Sequence, residues 1–233
     1  MESISTKQTQ VQIRVNDFIR SVYNWMAIGL ALTGFVAFYI ASNPTLLNFI
    51  FRNQILFFGL IIAELGLVFW ISARIQNMQA STATALFVLY SALNGATLSF
   101  IFILYTRASI ASTFFVCAAT FVACSIYGWT TKRDLTSLGG FLMMGLIGII
   151  IASLVNIFIR SSAMHMIISY IGVLVFVGLT AYDTQNLKAM AVSQPADVGA
   201  SAIRKGAILG ALKLYLDFIN LFLMLLRILG NRE

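Results

Sequence analysis

The sequence predicts an all-α, multi-pass membrane protein of seven transmembrane helices joined by short loops, and three observations carry that expectation. Of 233 residues, 60% are hydrophobic and 10% charged, where an ordinary soluble domain is about half apolar and a quarter charged. Mean hydropathy is +0.91. The apolar residues also fall in runs of about 20, the length a helix needs to cross a bilayer. A β-barrel would alternate apolar and polar residues along strands of about ten, and Leu142-Met143-Met144-Gly145-Leu146-Ile147 does not alternate. A helix satisfies its backbone groups within its own segment, which lipid demands.

The spans are expected at roughly 22–42, 54–73, 83–105, 108–130, 138–159, 166–187 and 207–229. The first follows a polar tail, residues 1–21, and opens with Tyr23 and Trp25 at the depth of an aromatic belt. Arg52 and Arg74 flank the second span, and Arg107 closes the third. The fourth holds Cys117, Cys124 and the small-residue spacing Ala119-x-x-x-Ala123, with Tyr127 and Trp129 near its end. The fifth runs to Arg160 through Gly145-x-x-Gly148. The sixth ends at Lys188, and the seventh begins with Gly206-x-x-x-Gly210. Such spacings let helices approach closely. The domain reading is therefore a polar cytoplasmic tail, 1–21, and one seven-helix domain, 22–230. The first apolar run is a full span, too long for a cleavable signal.

Cation placement orients the chain. With the N-terminus inside, the inner segments hold Lys7, Arg14, Arg20, Arg74, Lys132, Arg133, Lys188, Arg204 and Lys205; the outer segments hold only Arg52, Arg107, Arg160, Arg227 and Arg232. That bias favours N-in/C-out. The net charge of +7 then reads as topology and attraction to anionic lipid, and no basic domain points to nucleic acid. The two cysteines, seven apart on one helix, are too far apart for a disulfide and read as core. His165 is the only histidine, too little for a His-based catalytic or metal site.

Five charged residues lie within spans: Glu64, Asp183, Lys213, Asp217 and Arg227. An ionised side chain at mid-bilayer costs roughly 3 kcal/mol or more and marks a functional candidate by default. Arg227 is near enough to its helix end to snorkel. At 1.5 Å per residue, Asp183 and Asp217 fall about 6 and 15 Å below the inner boundary. They can meet if helices six and seven are neighbours. Arg74 ends the second span on the same side, Lys213 shares a helix face with Asp217 at four residues' distance, and Glu64 lies nearer mid-membrane, where it could extend a polar pathway. Two carboxylates in contact share one proton and titrate in two macroscopic steps. Loss of the second proton leaves a charge that Arg74 or a permeating ion must meet, which is a proton switch. Carboxylate oxygens are also ligands for hard cations such as Ca²⁺. The bland alternative is a static ion-pair network that only fixes packing.

The segments Gly178-Leu-Thr-Ala-Tyr-Asp183-Thr-Gln185 and Leu214-Tyr-Leu-Asp217-Phe-Ile-Asn220-Leu-Phe-Leu-Met-Leu-Leu-Arg227, with the loop Thr130-Thr-Lys132-Arg133-Asp134-Leu135, resemble the Bax inhibitor-1 (TMBIM-type) family, bacterial branch. The resemblance covers essentially the whole chain beyond its N-terminal tail. It implies a seven-helix fold in the bacterial inner membrane and a pH-sensitive calcium leak. It further implies a two-aspartate proton sensor at Asp183 and Asp217, with transient calcium there, and a second-helix arginine, Arg74, that latches the closed state. Arg74 stands alone in Ile71-Ser-Ala-Arg74-Ile-Gln, where the family segment can be more basic. Lys213 departs from the pattern and can pair with Asp217.

Three rivals remain. An intramembrane aspartyl protease also pairs two aspartates on adjacent spans, but its Gly-x-Gly before the second aspartate is replaced by Leu214-Tyr215-Leu216, and the only prolines are Pro44 and Pro195. A retinal Schiff base at Lys213 would sit about six residues from the inner boundary, too shallow for a mid-membrane chromophore. A non-conducting regulator that binds other membrane proteins through the N-terminal tail is the principal alternative. The expectation is a non-enzyme with no cofactor, whose partners are the bilayer, protons and calcium as permeant ion.

Overall fold

The computed structural model describes residues 2–194 and 199–232, with side chains from residue 12 onward. The Lys7 side chain and Pro195 lie outside the described residues. Among them, seven helices are long and apolar enough to span a membrane: Gln12–Ala41, Gln54–Asn77, Ala80–Leu104, Arg107–Thr130, Thr136–Ile159, Ser162–Ser193 and Ala200–Leu229. Each expected run corresponds to one of them.

The helices are α1 (Glu2–Ala41), α2 (Pro44–Arg52), α3 (Gln54–Arg74), α4 (Ala80–Leu98), α5 (Ile101–Leu104), α6 (Arg107–Thr130), α7 (Thr136–Ile159), α8 (Ser162–Ser193) and α9 (Ala200–Leu229), with a 3₁₀ turn at Ile75–Asn77. Four features were not anticipated. The first helix extends far into the polar segment, because Val15, Phe18, Val22 and Met26 recur at helical spacing and are all buried. The short α2 separates the first two spans; Asn43 caps it by accepting from the Thr45 and Leu46 amides at 3.1 and 3.3 Å, and Pro44 supplies a first-turn residue that needs no donor. The third span breaks after Leu98, where Ser99 donates to the Ala96 carbonyl at 2.7 Å. α8 runs six residues past the expected end, with Leu187 and Ala191 still buried.

The chain divides into two compact units. The first comprises Met1–Leu104 and Ala189–Tyr215. In it α1 packs on α4, closely at Gly95, where a Cβ would fall 2.9 Å from Val36 Cβ and 3.2 Å from Thr33 Cα. A Cβ at Gly206 of α9 would lie 3.3 Å from the Phe18 ring. The start of α9 is tied down by Lys205, which donates to the Gln76 carbonyl at 2.8 Å, and by Arg204, 5.6 Å over the Trp25 ring.

The second unit comprises Tyr105–Lys188 and Leu216–Glu233. α6 meets α8 at Gly128, where a Cβ would lie 2.9 Å from the Ala181 carbonyl carbon and 3.0 Å from its Cα. α7 meets α8 where Leu142 lies over Gly178 and Val175 faces Gly145; Gly148 faces open space. Small residues thus act as packing points, although of the 145/148 pair only the first does so. The chain end is strapped to the start of α6: Thr106 N donates to the Asn231 carbonyl at 3.1 Å, and Asn231 N to Ser109 Oγ at 2.8 Å.

Just ahead of α7, Asp134 Oδ1 accepts from the Thr136 amide at 2.9 Å. Hydrogen bonds from the Thr136 hydroxyl and then its amide hold this carboxyl below the usual aspartate range. A carboxylate lowered on folding contributes stability that is present above its unfolded value, about pH 4, and is lost as pH falls through the folded value. Asp134→Ala is therefore expected to melt below wild type at pH 7, with the gap closing on acidification below about pH 4; thermal melts in detergent across pH check it, and a pH-independent gap would contradict it.

Candidate functional site

Asp183 and Asp217 both belong to the second unit, and α6 fixes the level of each. Asp183 is half-buried on α8, between two anchored residues. The Tyr182 ring lies over Gly139 of α7. Thr184 donates to the Thr180 carbonyl at 2.8 Å and reaches to 3.5 Å from Ser125 Oγ on α6. Asp217 is 5% exposed. Its neighbour Phe218 packs edge-on against Phe121 and Phe114 of α6, with ring centroids 5.4 and 5.5 Å apart. The Phe218 carbonyl accepts from Cys117 Sγ at 3.7 Å. Phe121 and Ser125 are four residues apart on α6, one helical turn or about 6 Å of rise. The residues adjoining the two aspartates thus both pack on α6, Thr184 at Ser125 and Phe218 along Phe114–Phe121.

Below Asp183 the same unit clamps a loop. Gln185 donates through Nε2 to the Arg133 carbonyl and accepts from the Leu135 amide, both at 2.8 Å. One turn farther along α8, Lys188 donates to the Trp129 carbonyl at 2.7 Å and sits 5.0 Å over the Trp129 ring. The basic loop residues Lys132 and Arg133 are therefore fixed to the helix that carries Asp183.

The other expected charges belong to the first unit. Arg74 is exposed at the end of α3, on the rim of a cavity of about 390 Å³ walled by Leu67, Trp70, Thr82 and Leu86. Lys213 is half-buried on α9. Glu64 is half-buried and accepts from Thr97 Oγ1 at 2.8 Å and Asn94 Nδ2 at 3.2 Å. Asn94, Thr97, Thr33 and Tyr215 escaped the sequence reading. Their signal was present: each is a polar group inside an apolar span, and such groups seek partners on neighbouring helices. Cys117 and Cys124 are both free thiols. No group of three or more potential metal ligands occurs among the described residues.

A bundle of apolar spanning helices with carboxylates set among packed aromatic and small residues defines a polytopic helical membrane protein. The chain belongs to the family described as "Inhibitor of apoptosis-promoting Bax1", whose model matches residues 15–233. It is 56% identical to the inner membrane protein YbhL of Escherichia coli over 224 residues, covering 96% of this chain and 95% of the relative. A Rickettsia prowazekii protein is 46% identical over 219 residues, 93% and 90% of the two chains. A Streptococcus pyogenes membrane protein is 39% identical over 228 residues, 97% of each. The chain is a multi-pass protein of the bacterial inner membrane.

Proposed function

We propose that this protein is a non-enzymatic, pH-sensitive cation leak, permeable to calcium, in which Asp183 and Asp217 form the proton sensor and Arg74, with Lys213, supplies counter-charge. The observation that supports the reading is that both aspartates lie in one unit and that a neighbour of each packs on the same helix, α6. Carboxylates brought into contact share protons and present oxygen ligands to a hard cation when they ionise. The proposal includes the N-in/C-out orientation, which puts both aspartates in the cytoplasmic half.

The test is calcium efflux from liposomes across pH for wild type, Asp183→Asn and Asp217→Asn. Wild type is expected to show a pH-dependent efflux and each variant to flatten it. Unchanged pH dependence in both variants would remove the sensor assignment. Absence of flux at any pH would favour the regulator reading, which the long helical N-terminal segment of α1 supports as a handle for a membrane partner.

A further inference from the structure

A row of direct hydrogen bonds crosses the first unit from α3 to α1. Beyond the two bonds to Glu64, the Asn94 carbonyl oxygen accepts from the Tyr215 hydroxyl at 3.1 Å. That hydroxyl lies 2.6 Å from Thr33 Oγ1, and Thr33 Oγ1 reaches the Ser91 carbonyl at 2.8 Å. Thr33, Ser91, Asn94, Thr97 and Tyr215 are exposed by 3, 0, 9, 7 and 0%. At these separations no water sits between successive members.

Counting protons decides how the row is arranged. Three contacts lie between the Asn94 carbonyl oxygen and the Ser91 carbonyl, and the two intervening hydroxyls bring one proton each. While Asn94 turns its NH₂ toward an ionised Glu64, one of those contacts holds two oxygens and no proton. A proton on Glu64 removes the shortage. The carboxyl then donates to the Asn94 oxygen after a half-turn of the amide, Asn94 donates to Tyr215, Tyr215 to Thr33, and Thr33 to the Ser91 carbonyl. Thr97 still donates to the second Glu64 oxygen. The half-turn exchanges two atoms of nearly the same size and leaves the row in place.

We infer that Glu64 is a proton-binding site additional to Asp183 and Asp217, and that Asn94, Tyr215 and Thr33 are positioning residues that hold its proton. Loss of that proton leaves an unmade contact in a row joining α3, α4, α9 and α1, so helix packing within this unit responds to it. The titratable groups facing Glu64 are Tyr90 of α4 and Tyr215 of α9. α4 and α5 carry no charged residue, and α2 carries only Arg52 at its end. The charges of α1 stop at Arg20, and α9 brings Lys213 two residues before Tyr215 and Asp217 two residues after it. Arg74 stands ten residues beyond Glu64, about 15 Å along α3.

Infrared difference spectroscopy of the full chain in lipid vesicles tests this independently of any flux. At about pH 6.5, where a free glutamate is ionised, wild type is expected to show a protonated-carboxyl band that vanishes in Glu64→Gln and persists when Asp183 and Asp217 are both asparagine. Tyr215→Phe keeps the ring contacts with Phe87 and Tyr90, at 6.0 and 5.6 Å between centroids, while deleting the hydroxyl. It is expected to lower the protonated-to-ionised ratio of Glu64 about fivefold at a given pH, the effect of one neutral hydrogen bond. Thr33→Val should act in the same direction and Thr33→Ser should restore the ratio, so the Thr33 pair decides the matter if Tyr215→Phe does not fold. A missing Glu64 band, or a ratio indifferent to both hydroxyl deletions, overturns the inference. Loss of the band only in the double-asparagine background assigns the proton to the aspartates and overturns it equally.

Discussion

Gly128→Val is expected to yield little folded protein, because the new side chain has only backbone to displace. A Cβ at Gly128 already meets the carbonyl carbon and Cα of Ala181 at 2.9 and 3.0 Å, and two helix backbones cannot rotate out of the way as a long side chain can. α6 and α8 would have to separate, taking with them the Thr184–Ser125 contact beside Asp183. Overpacking of this kind costs about 1–3 kcal/mol for modest additions, so Gly128→Ala is expected to survive with a lowered unfolding free energy. Unfolding of purified protein in mixed micelles gives the measurement for alanine, and the monodisperse yield gives it for valine. A valine variant as stable as wild type would show that the α6–α8 crossing tolerates separation.

Phe218→Ala removes the ring that seats the residue next to Asp217. Three α6 aromatic contacts converge on this part of α9: Phe218 with Phe114 and Phe121, and Phe222 with Phe114 at 6.3 Å. Truncating a buried phenylalanine costs about 3–5 kcal/mol, the spread reflecting how far the site collapses. Phe218→Leu should lose much less. If Asp217 senses protons, the alanine variant is also expected to shift the pH midpoint of liposome efflux relative to the leucine variant, since only the former frees the Asp217 backbone. Equal stability of the two variants would mean the ring is not a packing anchor.

The seven spans were legible because lipid imposes a length and a composition that a hydropathy run reports directly. What the run length hides is periodicity at a polar edge. Val15, Phe18 and Val22 form a buried stripe through a segment whose average composition is polar, so the helix continues where the run criterion stops. α2 was signalled only by Asn43-Pro44, a cap followed by proline, and at nine residues it is too short to register as a span. The aspartates stood out by the cost of a charge in an apolar segment. Thr33, Asn94 and Tyr215 did not, because a neutral polar residue in a span is common, and only coordinates show which of them join into a row. The partnership of Gln185 with the α6–α7 loop was likewise invisible, since it links residues 50 and 52 positions apart.

That clamp makes the short loop between α6 and α7 a handle on the helix that carries Asp183. Because both hydrogen-bonding ends of the Gln185 amide are engaged by the loop backbone, Lys132 and Arg133 travel wherever this part of α8 travels. A spin label or fluorophore at Lys132 therefore reads out the motion of the Asp183 helix from a solvent-facing position, without touching a residue inside the bilayer.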